Sequence, residues 1–148
     1  MSGNVPLLDP EAADAHTQKG LELKAAGKAP ESLEELTRAI AMLPFSATVL
    51  YQRAIVHDEY GYLNEAIQDY TQAIDCDPEY AMAYGSRGIA FYTSGLFAEA
   101  IADLEFYLSL DPAFLSRTAI ENAIRRAKTA IVTRQMLHDN LFPNPPGQ

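Results

Sequence analysis

The residues of this chain that could do chemistry are three histidines, one cysteine and two sets of regularly spaced charges. His16, His57 and His138 lie far apart, and none stands at zinc-binding spacing from Cys76 or from another histidine. His57 occupies the place that Leu23 and Phe91 hold 34 residues to either side, which points to packing rather than proton transfer. By the same step Cys76 corresponds to Met42 and Leu110, so it reads as a small apolar filler and not a nucleophile. No glycine-rich loop is present to cradle a phosphate. Lys19, Arg53 and Arg87 share the 34-residue spacing, and so do Glu35, Asp69 and Asp103. A base beside an acid could serve acid–base catalysis. Recurrence with a constant step favours a structural ladder of ion pairs instead, each contributing about 0–1 kcal/mol if exposed. The chain is read as no enzyme, with no catalytic residue, metal or cofactor.

Bulk composition narrows the classes further. The 148 residues suffice for one domain with a core, and 48% of them are hydrophobic. The net charge of −9 argues against nucleic acid as a partner, because phosphate binding depends on many Lys and Arg contacts. No uncharged apolar run reaches the length of a membrane span, and Met1 to Pro10 lacks the pattern of a secretory leader. The single cysteine suits a reducing compartment, so a cytoplasmic protein is expected. Charge is uneven: from Leu115 to His138 there are Arg117, Arg125, Arg126, Lys128 and Arg134 against only Glu121. A basic last helix docked on an acidic body explains this; a partner site on that helix is the alternative.

The elements that must carry these residues emerge from a repeat. Pro10, Pro44, Pro78 and Pro112 are spaced by 34 residues. Three segments, 13–46, 47–80 and 81–114, align on that step without insertions. Asn64-Glu65-Ala66-Ile67-Gln68-Asp69 falls over Ala98-Glu99-Ala100-Ile101-Ala102-Asp103. Each segment is expected to form two antiparallel helices. Asp9, Asp77 and Asp111 precede prolines and read as N-caps ahead of a first helical residue. Gly27, Gly61 and Gly95 fall mid-segment, where a positive φ would end the first helix. Second helices are expected over Ser32–Met42, Asn64–Cys76 and Phe97–Leu110. Gly20, Ala54 and Gly88 would allow close approach to Ser32, Ala66 and Ala100. Ile120, Ile124, Ala127 and Ile131 then mark one long amphipathic helix over 115–140.

These features together resemble the tetratricopeptide repeat (TPR): a small residue and an aromatic in the first helix, Gly at the turn, Glu-Ala-Ile opening the second helix, Asp-Pro at the end. The resemblance implies an all-α fold, a right-handed α-solenoid of three helix-turn-helix units closed by a C-terminal capping helix. The organisation expected is an N-terminal tail over 1–9, a repeat domain over 10–141 and a proline-rich tail over 142–148.

The resemblance also implies a function. In this family the first helices line a concave groove in which peptides lie. The matching positions are Thr17, Leu21 and Lys24 in the first repeat, Tyr51, Gln52, Ile55 and Asp58 in the second, and Met82, Ser86, Ile89 and Tyr92 in the third. Leu21, Tyr51, Ile55, Met82, Ile89 and Tyr92 would form an apolar strip, with Gly85 leaving room in its middle. Domains resembling heat-shock co-chaperones grip a terminal carboxylate with Lys, Asn, Asn, Lys and Arg. Thr17, Leu21, Gln52, Met82 and Ser86 stand at those positions here, and none is a cation. The expected partner is thus a protein or peptide offering an apolar segment to a scaffold or adaptor. Two alternatives remain open: a dedicated chaperone for a secreted or membrane-associated client, and a homo-oligomeric module in which the tail around Phe142 and Pro143 enters the groove of a second copy.

Overall fold

The computed structural model describes residues 9–110, 113 and 115–143. Among them are seven α-helices and no strand: α1 (Pro10–Ala25), α2 (Ala29–Met42), α3 (Ala47–Glu59), α4 (Leu63–Cys76), α5 (Ala81–Thr93), α6 (Phe97–Ser109) and α7 (Arg117–Leu141). The chain is all-α, with three helix-turn-helix pairs followed by a long final helix. Two compact units, Met1–Ala83 and Tyr84–Gln148, divide it within α5.

Local chemistry sets the helix boundaries. The Asp9 carboxylate accepts from the Ala12 amide at 3.0 Å while Pro10 takes the first helical position, as the sequence pattern requires. Within each pair the reversal is the same. Gly27, Gly61 and Gly95 have φ of 73°, 79° and 76°, and the residue after each glycine donates its amide back across the turn. Lys28 bonds to the Leu23 carbonyl, Tyr62 to His57 and Leu96 to Phe91, the pattern that satisfies helix-end carbonyls when a left-handed residue follows.

The second proline role differs from the sequence expectation. Asp77 does not cap α5, which begins only at Ala81. Its carbonyl accepts from Tyr80 at 3.0 Å and its side chain from the Glu79 amide at 3.1 Å, so Asp77-Pro78 opens a turn between helices. Leu43 and Ser46 close the same turn around Pro44 at 3.2 Å. Proline is favoured at the second position of such a turn because its φ is preset and no donor is needed there. The expected cap at Asp111-Pro112 and most of the proline-rich tail lie outside the described residues. The second helices also start earlier than expected in two pairs, because Pro30 is accommodated in the first turn of α2 and Leu63 joins α4.

In the first unit, α1 packs on α2 and α3 on α4, with Leu36, Leu50, Val56 and Tyr70 fully buried. The Ser32 hydroxyl donates to the Gly20 carbonyl at 2.7 Å, pulling the α1–α2 crossing close. In the second unit α5 lies on α6 and α6 on α7. A Cβ at Gly88 would stand 2.8 Å from the Leu104 side chain, which would have to shift to admit any larger residue. The Leu115 amide donates to the Tyr107 hydroxyl, tying the approach to α7 onto α6. Ser116 then caps α7. Ile120, Ile124 and Ala127 are buried as the periodicity predicts, but Ile131 is 40% exposed, so the packed stripe ends a turn earlier than expected.

Candidate peptide-binding faces

The charged residues set the frame. Arg53 Nε and Nη2 donate to the two carboxylate oxygens of Asp69, both at 2.7 Å, and Asp69 is only 4% exposed. Arg87 grips Asp103 in the same way at 2.7 and 2.9 Å, and its guanidinium also lies over the rings of Tyr84 and Phe91. The first pair varies the theme: Glu35, also buried, is 2.6 Å from His16 and 3.5 Å from Lys19, and accepts from Arg38 at 3.0 Å. The hydrogen bond with His16 holds the Glu35 carboxyl below its usual range. This is the expected ladder, and its acids are buried, so the small contribution of an exposed pair does not apply to them. In the second and third pairs a planar guanidinium fork replaces solvation of the carboxylate and holds the first helix against the second; in the first pair His16 and Lys19 make the link from α1.

His57 sits at the end of this network. Its Nε2 is 3.7 Å from Asp69 Oδ2, its ring meets Tyr62 edge-on, and its Nδ1 is buried without a hydrogen-bond partner among the described residues. Burial pushes the imidazole below its ordinary value. Among the described residues no group of three or more His, Cys, Asp or Glu could hold a metal ion.

In the first unit the residues singled out on α1 and α3 have distinct settings. Leu21 and Ile55 are half-buried and present apolar atoms to solvent. Thr17 turns its hydroxyl back to the Ala13 carbonyl at 2.8 Å. Lys24 reaches Glu59 at 3.0 Å and so links α1 to α3. Asp58 accepts from the Tyr70 hydroxyl at 3.2 Å, and burial raises its carboxyl. Gln52 and Met82 are half-buried. Tyr51 is not an open surface: it is 3% exposed, with its ring against Tyr70 at 5.7 Å and Tyr80 at 5.3 Å.

In the second unit Ile89 is 39% exposed and Tyr92 half-buried, while Ser86 is buried. The room expected at Gly85 is filled, since a Cβ there would lie 2.8 Å from Tyr107 and 2.9 Å from Leu115. The sequence reading missed what borders Tyr92. A groove of about 260 Å³ runs between it and Ala119, Asn122, Ala123 and Arg126 of α7. The signal was the spacing of those four residues, which puts them on one side of α7 beside the packed stripe.

Helix pairs reversed at left-handed glycines and clamped by buried acid–base pairs define a helical-repeat protein. The comparisons make the assignment specific. The family model described as TPR repeat matches residues 59–95. The second TPR of Spaghetti (RPAP3), solved with an HSP90 peptide SRMEEVD, is 32% identical with a TM-score of 0.66; the match covers 68% of this chain and 94% of that one. The second TPR domain of human RPAP3, solved with an HSP70 peptide, is 29% identical over 81% of this chain and 98% of that one, with a TM-score of 0.72. The Arabidopsis OM64 TPR domain is 28% identical over 86% and 98% of the two chains, also at 0.72. No curated protein matches the chain. The chain belongs to the tetratricopeptide repeat family.

Proposed function

We propose that this chain is a non-enzymatic adaptor that holds an apolar segment of a partner protein on the exposed sides of its first helices. The observation that carries this reading is the pairing of exposed apolar side chains with an absence of cations at the positions a carboxylate clamp would use. Leu21 and Ile55 in one unit, and Ile89 and Tyr92 in the other, leave apolar atoms open to solvent. Thr17, Leu21, Gln52, Met82 and Ser86 supply no positive charge. Peptide binding by the RPAP3 domains supports a peptide or protein as the ligand class. The clamp positions favour apolar contacts over a grip on a chain terminus. Thr17 and Lys24 on α1, Gln52 and Asp58 on α3 and Met82 on α5 are half-buried and belong to the proposed face, whereas Tyr51 lies buried behind it. Among the described residues no helix is long and apolar enough to cross a membrane. The lone Cys76 supports a cytoplasmic setting.

The test is affinity purification with the wild-type chain and with an Ile55→Asp/Ile89→Asp variant whose helicity and thermal unfolding are verified. A partner recovered by the wild type should be lost from the variant. Equal recovery by both would remove the first helices as the binding surface.

A further inference from the structure

The side of α7 that lines the groove with Tyr92 is not the side that packs against the body of the second unit. Ile120, Ile124 and Ala127 are buried, whereas Ala119, Asn122, Ala123 and Arg126 occupy the adjacent side and open onto the 260 Å³ groove. Tyr92 forms an apolar wall whose ring is steadied edge-on by Phe97, with centroids 5.6 Å apart. The two alanines leave the space.

Asn122 and Arg126 decide the chemistry. Arg125 Nη2 lies 2.7 Å from Asn122 Oδ1. A guanidinium can only donate, so this bond takes the amide oxygen of Asn122 and leaves its NH2 group as a donor. Arg126 is likewise a pure donor. Among the described residues the other bases of α7 are engaged: Arg117 lies 4.0 Å from Glu121, Lys128 is 2.8 Å from Glu105, and Arg134 stands over the Phe97 ring. Arg126 is exposed and has no ion pair among those residues. The groove therefore combines an aromatic wall with two sets of N–H donors and no carboxylate among its lining residues, on a helix that is basic within a chain of net charge −9.

We infer that this groove receives an Asp or Glu side chain of an extended peptide, its carboxylate on Arg126 and Asn122 and a neighbouring apolar residue against Tyr92. The inference rests on the peptide-binding reading and adds an acidic requirement to it. One guanidinium and one neutral amide balance a single negative charge, which suits a carboxylate better than a phosphate. The same side of α7 continues to Leu137 and Leu141, 58% and 72% exposed, so the bound chain has apolar surface to follow beyond the carboxylate. That continuity favours an acidic side chain within a segment over a chain terminus. Local positive potential on an acidic protein also steers acidic segments to this helix in preference to the rest of the surface.

The probe is a library of acetylated, amidated peptides with alternating apolar and randomised positions, selected on the full chain and sequenced. Wild type should enrich Asp and Glu over Asn and Gln at one position by about tenfold, the size of a partly exposed charge-assisted contact. Arg126→Ala should abolish that preference, and Arg126→Glu should turn it toward Lys and Arg, with thermal unfolding unchanged in both. An acid preference that is identical in wild type and Arg126→Glu overturns the inference. So does wild-type selection of apolar residues without an acid, a result that leaves the peptide-binding reading standing. Loss of both selections overturns both. Matched arms with a free C-terminal carboxylate or with phosphoserine should bind no better than the amidated acidic peptides; a stronger signal in either assigns the groove to that ligand and overturns the assignment made here.

Discussion

Breaking the Arg53–Asp69 pair tests whether the ladder holds the helices together. Asp69 is 4% exposed, and both of its carboxylate oxygens are taken by Arg53 at 2.7 Å. Among the described residues the other base near it is His57, at 3.7 Å. Arg53→Met keeps the aliphatic stem but leaves an uncompensated buried carboxylate, which costs about 3–5 kcal/mol when a buried pair loses one partner. The Arg53 side chain is 20% exposed, so water can partly replace it, and the expected loss lies near the lower end, about 3 kcal/mol. Asp69→Asn should cost less, about 1–2 kcal/mol, because the guanidinium it strands can reach solvent. The double variant Arg53→Met/Asp69→Leu removes both charges and should lie within about 1 kcal/mol of wild type, since apolar pairs of similar volume often replace buried ion pairs without loss. Urea denaturation followed by far-UV circular dichroism gives the four stabilities, and an unchanged denaturant slope shows that the same transition is compared. A loss below about 1 kcal/mol in Arg53→Met would show that the buried geometry contributes no more than a surface pair. A double variant less stable than Arg53→Met would refute the desolvation argument outright.

Two further predictions address packing and pH. Gly88→Val should lower stability by about 1–3 kcal/mol in the same denaturation assay, because even its Cβ would meet Leu104 at 2.8 Å in a fully buried crossing; wild-type stability would show that α5 and α6 can separate there. His57→Phe should raise stability at neutral pH by about 1 kcal/mol, since it removes a buried ring nitrogen that lacks a partner among the described residues. It should also change the acid profile. Burial lowers the His57 pKa from 6.5, so below that pH the unfolded chain binds a proton that the folded chain resists, and stability falls until the folded pKa is reached. The variant should be flat through that window. A second loss, opening as pH drops below the ordinary Glu35 value of 4.5, should persist because the His16 hydrogen bond depresses that carboxyl. An identical slope below pH 6.5 in wild type and variant would exclude His57 as its source.

What was legible in the sequence follows from which interactions recur with the repeat. The glycine turns were readable because a left-handed φ restricts residue choice, and the same bond recurs from Lys28 to Leu23, Tyr62 to His57 and Leu96 to Phe91. The ladder was readable because its partners keep a constant spacing. Depth was not: whether a carboxylate is exposed or buried depends on neighbours that the spacing does not specify. Asp77-Pro78 misled for a related reason, since the same dipeptide satisfies a helix N-terminus or an inter-helix turn. Asp9 adopts the first and Asp77 the second, according to where the next helix starts.

The candidate binding faces expose the same boundary between local pattern and packing. Transferring first-helix positions by register put Tyr51 on an open strip, but Tyr70 and Tyr80 close around it. Those two aromatics are properties of this chain rather than of the repeat spacing. Gly85 looked like space for a ligand, yet Tyr107 and Leu115 already occupy it. Conversely, α7 has no second helix in the described chain; the cap reading asks only that its exposed side be polar, and the alternative of a partner site on this basic helix named no residues for it. A cap of that kind would tolerate any soluble residue at 119, 122, 123 and 126. What distinguishes this one is that its small residues coincide with Tyr92 and its donors coincide with each other. That coincidence arises only when α5 and α7 are brought side by side, so the step from helix register to ligand chemistry had to come from the packed structure.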